Sequence, residues 1–149
     1  MVEMLMVIAI IMIMGAIALP YLYGNRRSYH LSQAATAVTG AMQATRYQAI
    51  MTGCPFSITF TTTNTNYQVQ SQALTGTPPA CAATFSNVGG AIPWSTAGDV
   101  SMTPNTTLQF SPAGIVTATT GSTTFTLSNG FTTNTISISG AGNVKVTMP

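Results

Sequence analysis

A continuous apolar run near the N-terminus constrains this chain more than any other feature. Met4–Leu19 contains sixteen residues without a polar side chain. As a helix continued to Tyr23, the segment would be about 30 Å long at 1.5 Å per residue, which is just enough to cross the hydrocarbon core of a bilayer. Pro20 lies inside this pattern and removes a backbone donor, so we expect it to kink the helix. The chain is therefore predicted to begin with a membrane-spanning helix.

The helix is predicted to continue beyond the membrane as an amphipathic segment. Apolar and small residues recur there at three- and four-residue steps, namely Leu31, Ala34, Ala35, Val38, Ala41, Met42, Thr45 and Ile50. Gly53 is expected to end the helix, with Pro55 beyond it. The predicted organisation is a helix over residues 1–53, in which 1–23 is the transmembrane or filament-core part and 24–53 is amphipathic, followed by a β-rich domain over 54–149.

Short strands of alternating polarity are predicted in that domain. Phe56, Ile58 and Phe60 alternate with hydroxyl side chains, and a second alternating run at 67–70 completes a hairpin. Further period-two runs, each flanked by Gly, Pro or Asn turn signals, occur at 106–110, 115–118, 123–128, 135–139 and 143–148. The predicted fold class is α+β, with a long N-terminal helix packed against an antiparallel β-sheet domain.

Two cysteines lie after the helix. Cys54 and Cys81 have no zinc-ligand spacing around them, so a disulfide is the favoured interpretation, and two reduced thiols in a cytosolic protein are the alternative. The bridge would tie down a long middle region that Gly and Pro residues break up. Trp94 is expected to pack this region onto the domain. The region is either a contact surface or an inert connection facing solvent.

Composition narrows the possible functions. Charged residues make up 4% of the chain, compared with about 25% in ordinary soluble domains. A surface with so little charge suits a subunit that packs against its own copies, or an extracellular domain adapted to another medium. The only histidine, His30, and the two acids, Glu3 and Asp99, are far apart in sequence and form no catalytic or metal-binding motif. We expect neither an enzyme nor a cofactor.

Glu3 stands immediately before the apolar run. An unpaired carboxylate next to hydrocarbon costs several kcal/mol, so Glu3 needs a cation nearby or a position among lipid headgroups. Arg26 and Arg27 follow the run, and the positive-inside rule would place them and the rest of the chain in the cytoplasm. A basic leader ahead of the run would reverse this orientation.

The N-terminal twenty residues closely resemble the class III signal segment of type IV pilins and pseudopilins. The similarity rests on the glutamate that opens the run, the block Val7-Ile8-Ala9-Ile10-Ile11, and Ala18-Leu19-Pro20 at the kink. In that family a prepilin peptidase removes a short basic leader and the new N-terminus is methylated. The family's glutamate lies two residues deeper than Glu3, so we expect this chain either to lack the first two mature residues or to start at a different point. The stretches 108–114, 125–127, 136–138 and 140–146 are similar to the closing strands of the GspH/FimT group of pseudopilins and minor pilins.

The resemblance implies a structural subunit of a type IV pilus-like extracellular filament that reaches the filament by way of the inner membrane. Its implied partners are copies of itself in a helical assembly, the inner membrane, the prepilin peptidase and the pilus assembly machinery. Glu3 would pair with the N-terminal amine of a neighbouring subunit. The assembly residues that the resemblance implies are Glu3, Met4, Leu5, Val7, Ile8, Ile11 and Pro20.

Two alternatives stay open. The chain could be a minor pilin or pseudopilin of a type II secretion system or of a DNA-uptake pilus, or a membrane-anchored cytoplasmic protein without a leader. FimT-like minor pilins carry a basic G-R-x-R motif, and the matching stretch here is Gly142-Asn143-Val144-Lys145. Lys145 alone would make at most a weak DNA contact, because useful affinity needs several phosphate contacts. Nucleic acid is not an expected partner.

Overall fold

One long helix leads into a β domain made of two antiparallel sheets. The computed structural model describes residues 2–63, 65–72, 74–76, 80–95 and 98–148, apart from the side chains of residues 18–24 and 75. Helix α1 spans Val2–Thr52. The strands of the described residues are β1 (Phe56–Thr61), β2 (Asn66–Ser71), β3 (Leu74–Thr75), β4 (Ala80–Cys81), β5 (Ser86–Asn87), β6 (Ile92–Pro93), β7 (Ser101–Thr103), β8 (Thr106–Phe110), β9 (Val116–Thr120), β10 (Thr124–Ser128), β11 (Thr133–Ile138) and β12 (Val144–Thr147).

The second half of α1 has the predicted buried face. Leu31, Ala34, Ala35, Val38, Ala41, Met42 and Thr45 are all buried. The prediction for Ile50 was wrong, because that side chain is 46% exposed and Ala49 is buried in its place. Ala49 lies four residues after Thr45 and so stays on the buried face, whereas Ile50 is rotated by about 100° from it. The helix ends as predicted at Gly53, which has a φ of +68° and donates its N–H to the carbonyl of Ala49 at 3.1 Å.

The strands form two main sheets. The first has the order β5-β2-β1-β8-β9, with β6 also pairing with β2, and the second has the order β12-β11-β10-β7. The predicted hairpin between β1 and β2 is confirmed, with Ile58 opposite Val69 and Phe60 opposite Tyr67. A short separate ribbon joins β3 to β4. Every pairing among the described strands is antiparallel.

A single cluster of buried side chains joins the helix to both sheets. Phe60 and Leu108 belong to the first sheet, Phe125 and Ile136 belong to the second, and Val38 comes from the helix; each is at most 1% exposed. The alternating burial along β8, β10 and β11 supplies one apolar face per strand, as the period-two pattern predicts. The α+β class and the packing of the helix against antiparallel sheets are therefore confirmed.

The middle of the chain differs from the sequence prediction in one useful respect. It is mostly irregular, as expected, but β7 in this region forms the edge of the second sheet through its pairing with β10. Met102 of β7 is 2% exposed and joins the core. A three-residue strand is too short for its alternation to be visible in the sequence. Trp94 is buried at 2% exposure, which confirms that it packs this region onto the domain.

Candidate assembly surface

The N-terminal third of α1 is apolar and uncovered. Every described side chain from Val2 to Ile17 is exposed, including Leu5 at 68%, Ile8 at 51% and Ile11 at 63%. Exposed apolar patches larger than a few hundred Å² mark sites of protein or membrane interaction. This surface surrounds the helix on all sides, so a single partner on one side would leave much of it in water. The segment therefore needs an apolar environment on all sides.

The predicted assembly residues fall on this surface wherever the structure describes them. Glu3, Met4, Leu5, Val7, Ile8 and Ile11 are all exposed on α1. The side chain of Pro20 lies outside the described part of the structure, and the kink expected at this position of α1 stays a prediction. Within the described parts of the helices, no stretch is long and apolar enough to cross a membrane. The predicted span ends at Tyr23, so its last residues belong to the part whose side chains are not described.

Glu3 occupies the first turn of α1. Among the described residues it makes no hydrogen bond or ion pair. A carboxylate at this position is favoured by the partial positive charge of the helix N-terminus, which is a weak effect at an exposed site. Its predicted pairing with an amine of a neighbouring subunit stays a prediction.

Near the C-terminal end of α1, two turns of the same design hold Arg46. Ser111 and Ser139 each start a turn whose fourth residue is a glycine, Gly114 at φ +76° and Gly142 at φ +80°. In each turn the glycine N–H donates to the serine carbonyl, at 2.9 Å and 2.8 Å respectively, and the serine hydroxyl accepts from the N–H one residue later. Arg46 lies against both glycines, and its Nε donates to the Gly114 carbonyl at 3.1 Å. The two turns therefore fix the end of the β domain to the helix.

The Gly and Pro signals in the sequence predicted these turns but not their convergence on Arg46. The repeated pattern Ser-x-x-Gly at 111–114 and 139–142 was the available signal. A hydrogen bond from the Val116 N–H to the Gly140 carbonyl at 2.9 Å joins the turns where the two sheets meet.

We expect Gly142→Ala to lower the free energy of unfolding by about 2–3 kcal/mol. A Cβ at this position would overlap the Arg46 side chain, which could move aside only by giving up its bond to Gly114, and the residue has a positive φ as well. Gly130→Ala is the control for backbone strain alone, because Gly130 has a φ of +84° with nothing within 4 Å of an added Cβ. This variant should lower the free energy of unfolding by about 1 kcal/mol. Urea unfolding followed by Trp94 fluorescence measures both. Equal losses in the two variants would contradict the proposed role of Arg46.

The structure brings together two ionisable residues that are distant in sequence. His30 Nδ1 lies 2.9 Å from Asp99 Oδ2, and the pair joins the helix to the loop after Trp94. A cleft of about 100 Å³ adjoins it, lined by His30, Gln33, Ala34, Ala37, Pro93, Trp94 and Ser95. Ser95 lines this cleft, but no hydrogen bond links its hydroxyl to the imidazole in the described structure. The described residues contain no group of three potential metal ligands. The pair is best explained as a tether for the loop.

The predicted disulfide is confirmed. Cys54 and Cys81 are bonded, with a Cα–Cα distance of 5.6 Å, and there are no free cysteines in the described chain. The bond fixes β4 to Cys54, the second residue after the end of α1. It therefore anchors the irregular middle region to the helix on one side, while the His30–Asp99 pair anchors it on the other.

Lys145 is exposed on β12, opposite Ser137. Arg46 is the arginine next to the Gly142 turn, and it is half-buried there with its Nε committed to a carbonyl. Within the described part of the chain, Lys145 makes no ion pair, and it is the basic residue of the stretch that matches the FimT-like motif. A DNA contact by Lys145 stays a prediction.

These features define a class of protein: an α+β protein whose long helix is built into a two-sheet β domain at one end and presents an uncovered apolar surface at the other. The family model for type II transport protein GspH matches residues 34–142, which is more than two thirds of the chain. The chain belongs to the GspH family. No curated protein and no solved structure shows a significant match to it.

Proposed function

We propose that this chain is a pseudopilin, a structural subunit of the filament of a type II secretion system. Membership of the GspH family favours this function over the extracellular pilus that the N-terminal resemblance alone implies. Its location would then be the periplasmic side of the inner membrane, within the secretion machinery. The partners would be other pseudopilins and the peptidase that processes them.

The observation that carries the proposal is the division of α1 into two parts. From Leu31 onwards one side of the helix is buried in the domain core, whereas from Val2 to Ile17 every side chain is exposed. We retain the two-part organisation, with a helical stalk over 1–53 and a β domain over 54–149, as part of the proposal. The apolar part would be held in the inner membrane and would then exchange lipid contacts for contacts with neighbouring helices in the filament.

The energetic basis is the apolar area of the uncovered helix. Burial of apolar surface stabilises by about 25 cal/mol per Å², so each buried Leu or Ile side chain contributes roughly 1.5–3 kcal/mol relative to water. Lipid and a helix bundle both provide this burial. The choice between them therefore depends on helix packing and on the Glu3 carboxylate, which is poorly accommodated by lipid.

Site-specific photocross-linking in cells tests the proposal. A photoreactive amino acid in place of Ile8 should form adducts with other pseudopilins when the secretion system is expressed. The same group in place of Val88, which is also exposed but lies on the β domain, serves as the control. Adducts from position 88 with none from position 8 would overturn the proposed role of the helix.

A further inference from the structure

An unusual aromatic residue lies at the end of the domain that faces the apolar helix segment. Phe131, at the tip of the hairpin between β10 and β11, is 77% exposed. The guanidinium carbon of Arg27 lies 4.8 Å from the centre of its ring. Arg27 precedes Leu31 by one helical turn, so it extends the buried face of α1 just beyond the domain. The contact links the hairpin tip to α1 at this end of the domain.

The hairpin tip is rigidly built. The Asn129 side-chain oxygen accepts hydrogen bonds from the N–H of Phe131 at 3.0 Å and from the N–H of Thr132 at 2.8 Å. It also accepts one from the Thr132 hydroxyl at 3.2 Å, and Asn129 itself is only 6% exposed. These three hydrogen bonds fix the backbone of the turn that carries the exposed phenyl ring. Such a turn presents the ring at a fixed place.

The charges around the ring are of one sign. Arg26 and Arg27 are exposed, and no ion pair involves either of them within the described residues. Asp99, a loop residue, is bound through Oδ2 to His30, which lies three residues after Arg27 on α1. The surface formed by Arg26, Arg27 and Phe131, which we call the Arg–Phe cap, is cationic and carries one apolar wedge. Anionic headgroups with an apolar layer beneath them match this chemistry.

The position of the cap along the helix fits the same partner. If the apolar segment to Tyr23 occupies the hydrocarbon core, Arg26 and Arg27 lie about 5–6 Å further along the axis, at headgroup depth. Phe131 is held at the same level by its contact with Arg27.

We propose that the Arg–Phe cap docks on the anionic lipid surface of the membrane before assembly and thereby fixes the tilt of the β domain on its anchor. The inference rests on the proposed function, because it requires α1 to be inserted in a bilayer. Phe131 enters the interfacial layer, while the two arginines contact lipid phosphates. Entry into the filament then separates the cap from the lipid.

Fluorescence quenching by brominated lipids tests this inference on the full chain in vesicles. The chain has one tryptophan, Trp94, which is 2% exposed, so the wild type supplies the background signal. Phe131→Trp adds a reporter at the cap. Ile115→Trp adds one at the other end of the domain, beside Gly114 and Arg46, about 28 Å along the helix from Arg27. Ile115 is 53% exposed and lies in a turn, so it is a matched site.

We expect lipids brominated near the headgroup to quench Phe131→Trp and not Ile115→Trp. Quenching should be about twofold stronger in vesicles with phosphatidylglycerol than with phosphatidylcholine alone. When Arg26→Gln and Arg27→Gln are added to Phe131→Trp, quenching should no longer depend on phosphatidylglycerol. Circular dichroism checks that each variant is folded.

Resistance to carbonate extraction distinguishes failure of the docking inference from failure of the proposed function. If the chain stays in the membrane but Phe131→Trp is not quenched, the docking inference is wrong and the proposed anchoring stands. The inference is equally wrong if a photoreactive group at position 131 links to a second copy rather than to lipid. If carbonate removes the chain from the membrane, the proposed function fails, and the docking inference fails with it.

Discussion

Replacement of Glu3 by alanine is expected to leave the β domain folded and to abolish assembly. In the proposed filament the carboxylate is removed from water and pairs with an amine of the neighbouring subunit. Removal of one partner of a buried ion pair costs about 3–5 kcal/mol, which corresponds to more than about 100-fold in the assembly equilibrium. Cross-linked oligomers at position 8, measured in cells, should disappear. Trp94 fluorescence should be unchanged, because Glu3 makes no hydrogen bond or ion pair with any described residue of the domain.

Two further variants separate charge from shape at this position. Glu3→Gln keeps the size of the side chain and removes its charge, so it should fail like alanine. Glu3→Asp keeps the charge on a shorter side chain and should retain part of the assembly. A Glu3→Ala chain that assembled at the wild-type level would rule out the proposed role of the carboxylate.

Loss of the disulfide is expected to be the largest single change in the stability of the domain. The sequence separation of Cys54 and Cys81 is 27 residues, and a closed loop of this size stabilises by about 3.5 kcal/mol on the chain-entropy model. The bond also holds the start of the irregular middle region, where the described strands are only two or three residues long. The double variant Cys54→Ala, Cys81→Ala should therefore unfold at a much lower urea concentration.

Reduction of the wild type supplies the control for this prediction. Cys54 is 1% exposed, so alanine there also leaves a small space in the core. Wild type unfolded in the presence of a reductant lacks the bond but keeps the sulfur atoms. Most of the loss should appear in both samples. A reduced wild type as stable as the oxidised form would show that the bond contributes little.

Sequence periodicity was sufficient for most of the fold because it reports burial directly. The three-to-four residue pattern located the buried face of α1, and the period-two pattern located β1, β2, β8, β10 and β11. Periodicity gave the wrong burial where packing determines which of two neighbouring residues is buried. Ile50 is more apolar than Ala49, yet the smaller residue is the buried one. Ile115 similarly precedes β9 and lies in a turn, where its carbonyl accepts from the Ser111 N–H.

No pattern in the sequence predicted the contacts between distant segments. His30 and Asp99 are 69 residues apart, and Arg46 is 68 residues from Gly114. Such pairs depend on how the sheets lie against the helix, which the pattern of any single segment does not contain. The same holds for Arg27 and Phe131.

The pair of cysteines is visible directly in the sequence, and the apolar helical stalk and the β-rich domain could be predicted from it. These properties follow from local composition and periodicity, since each residue's preference for water or for a core acts where the residue stands. Which exposed groups share a surface depends instead on how the sheets pack on the helix. The tertiary structure placed Arg46 between two turns and Phe131 beside Arg27, because packing of both sheets on one helix brings together residues that no local preference relates.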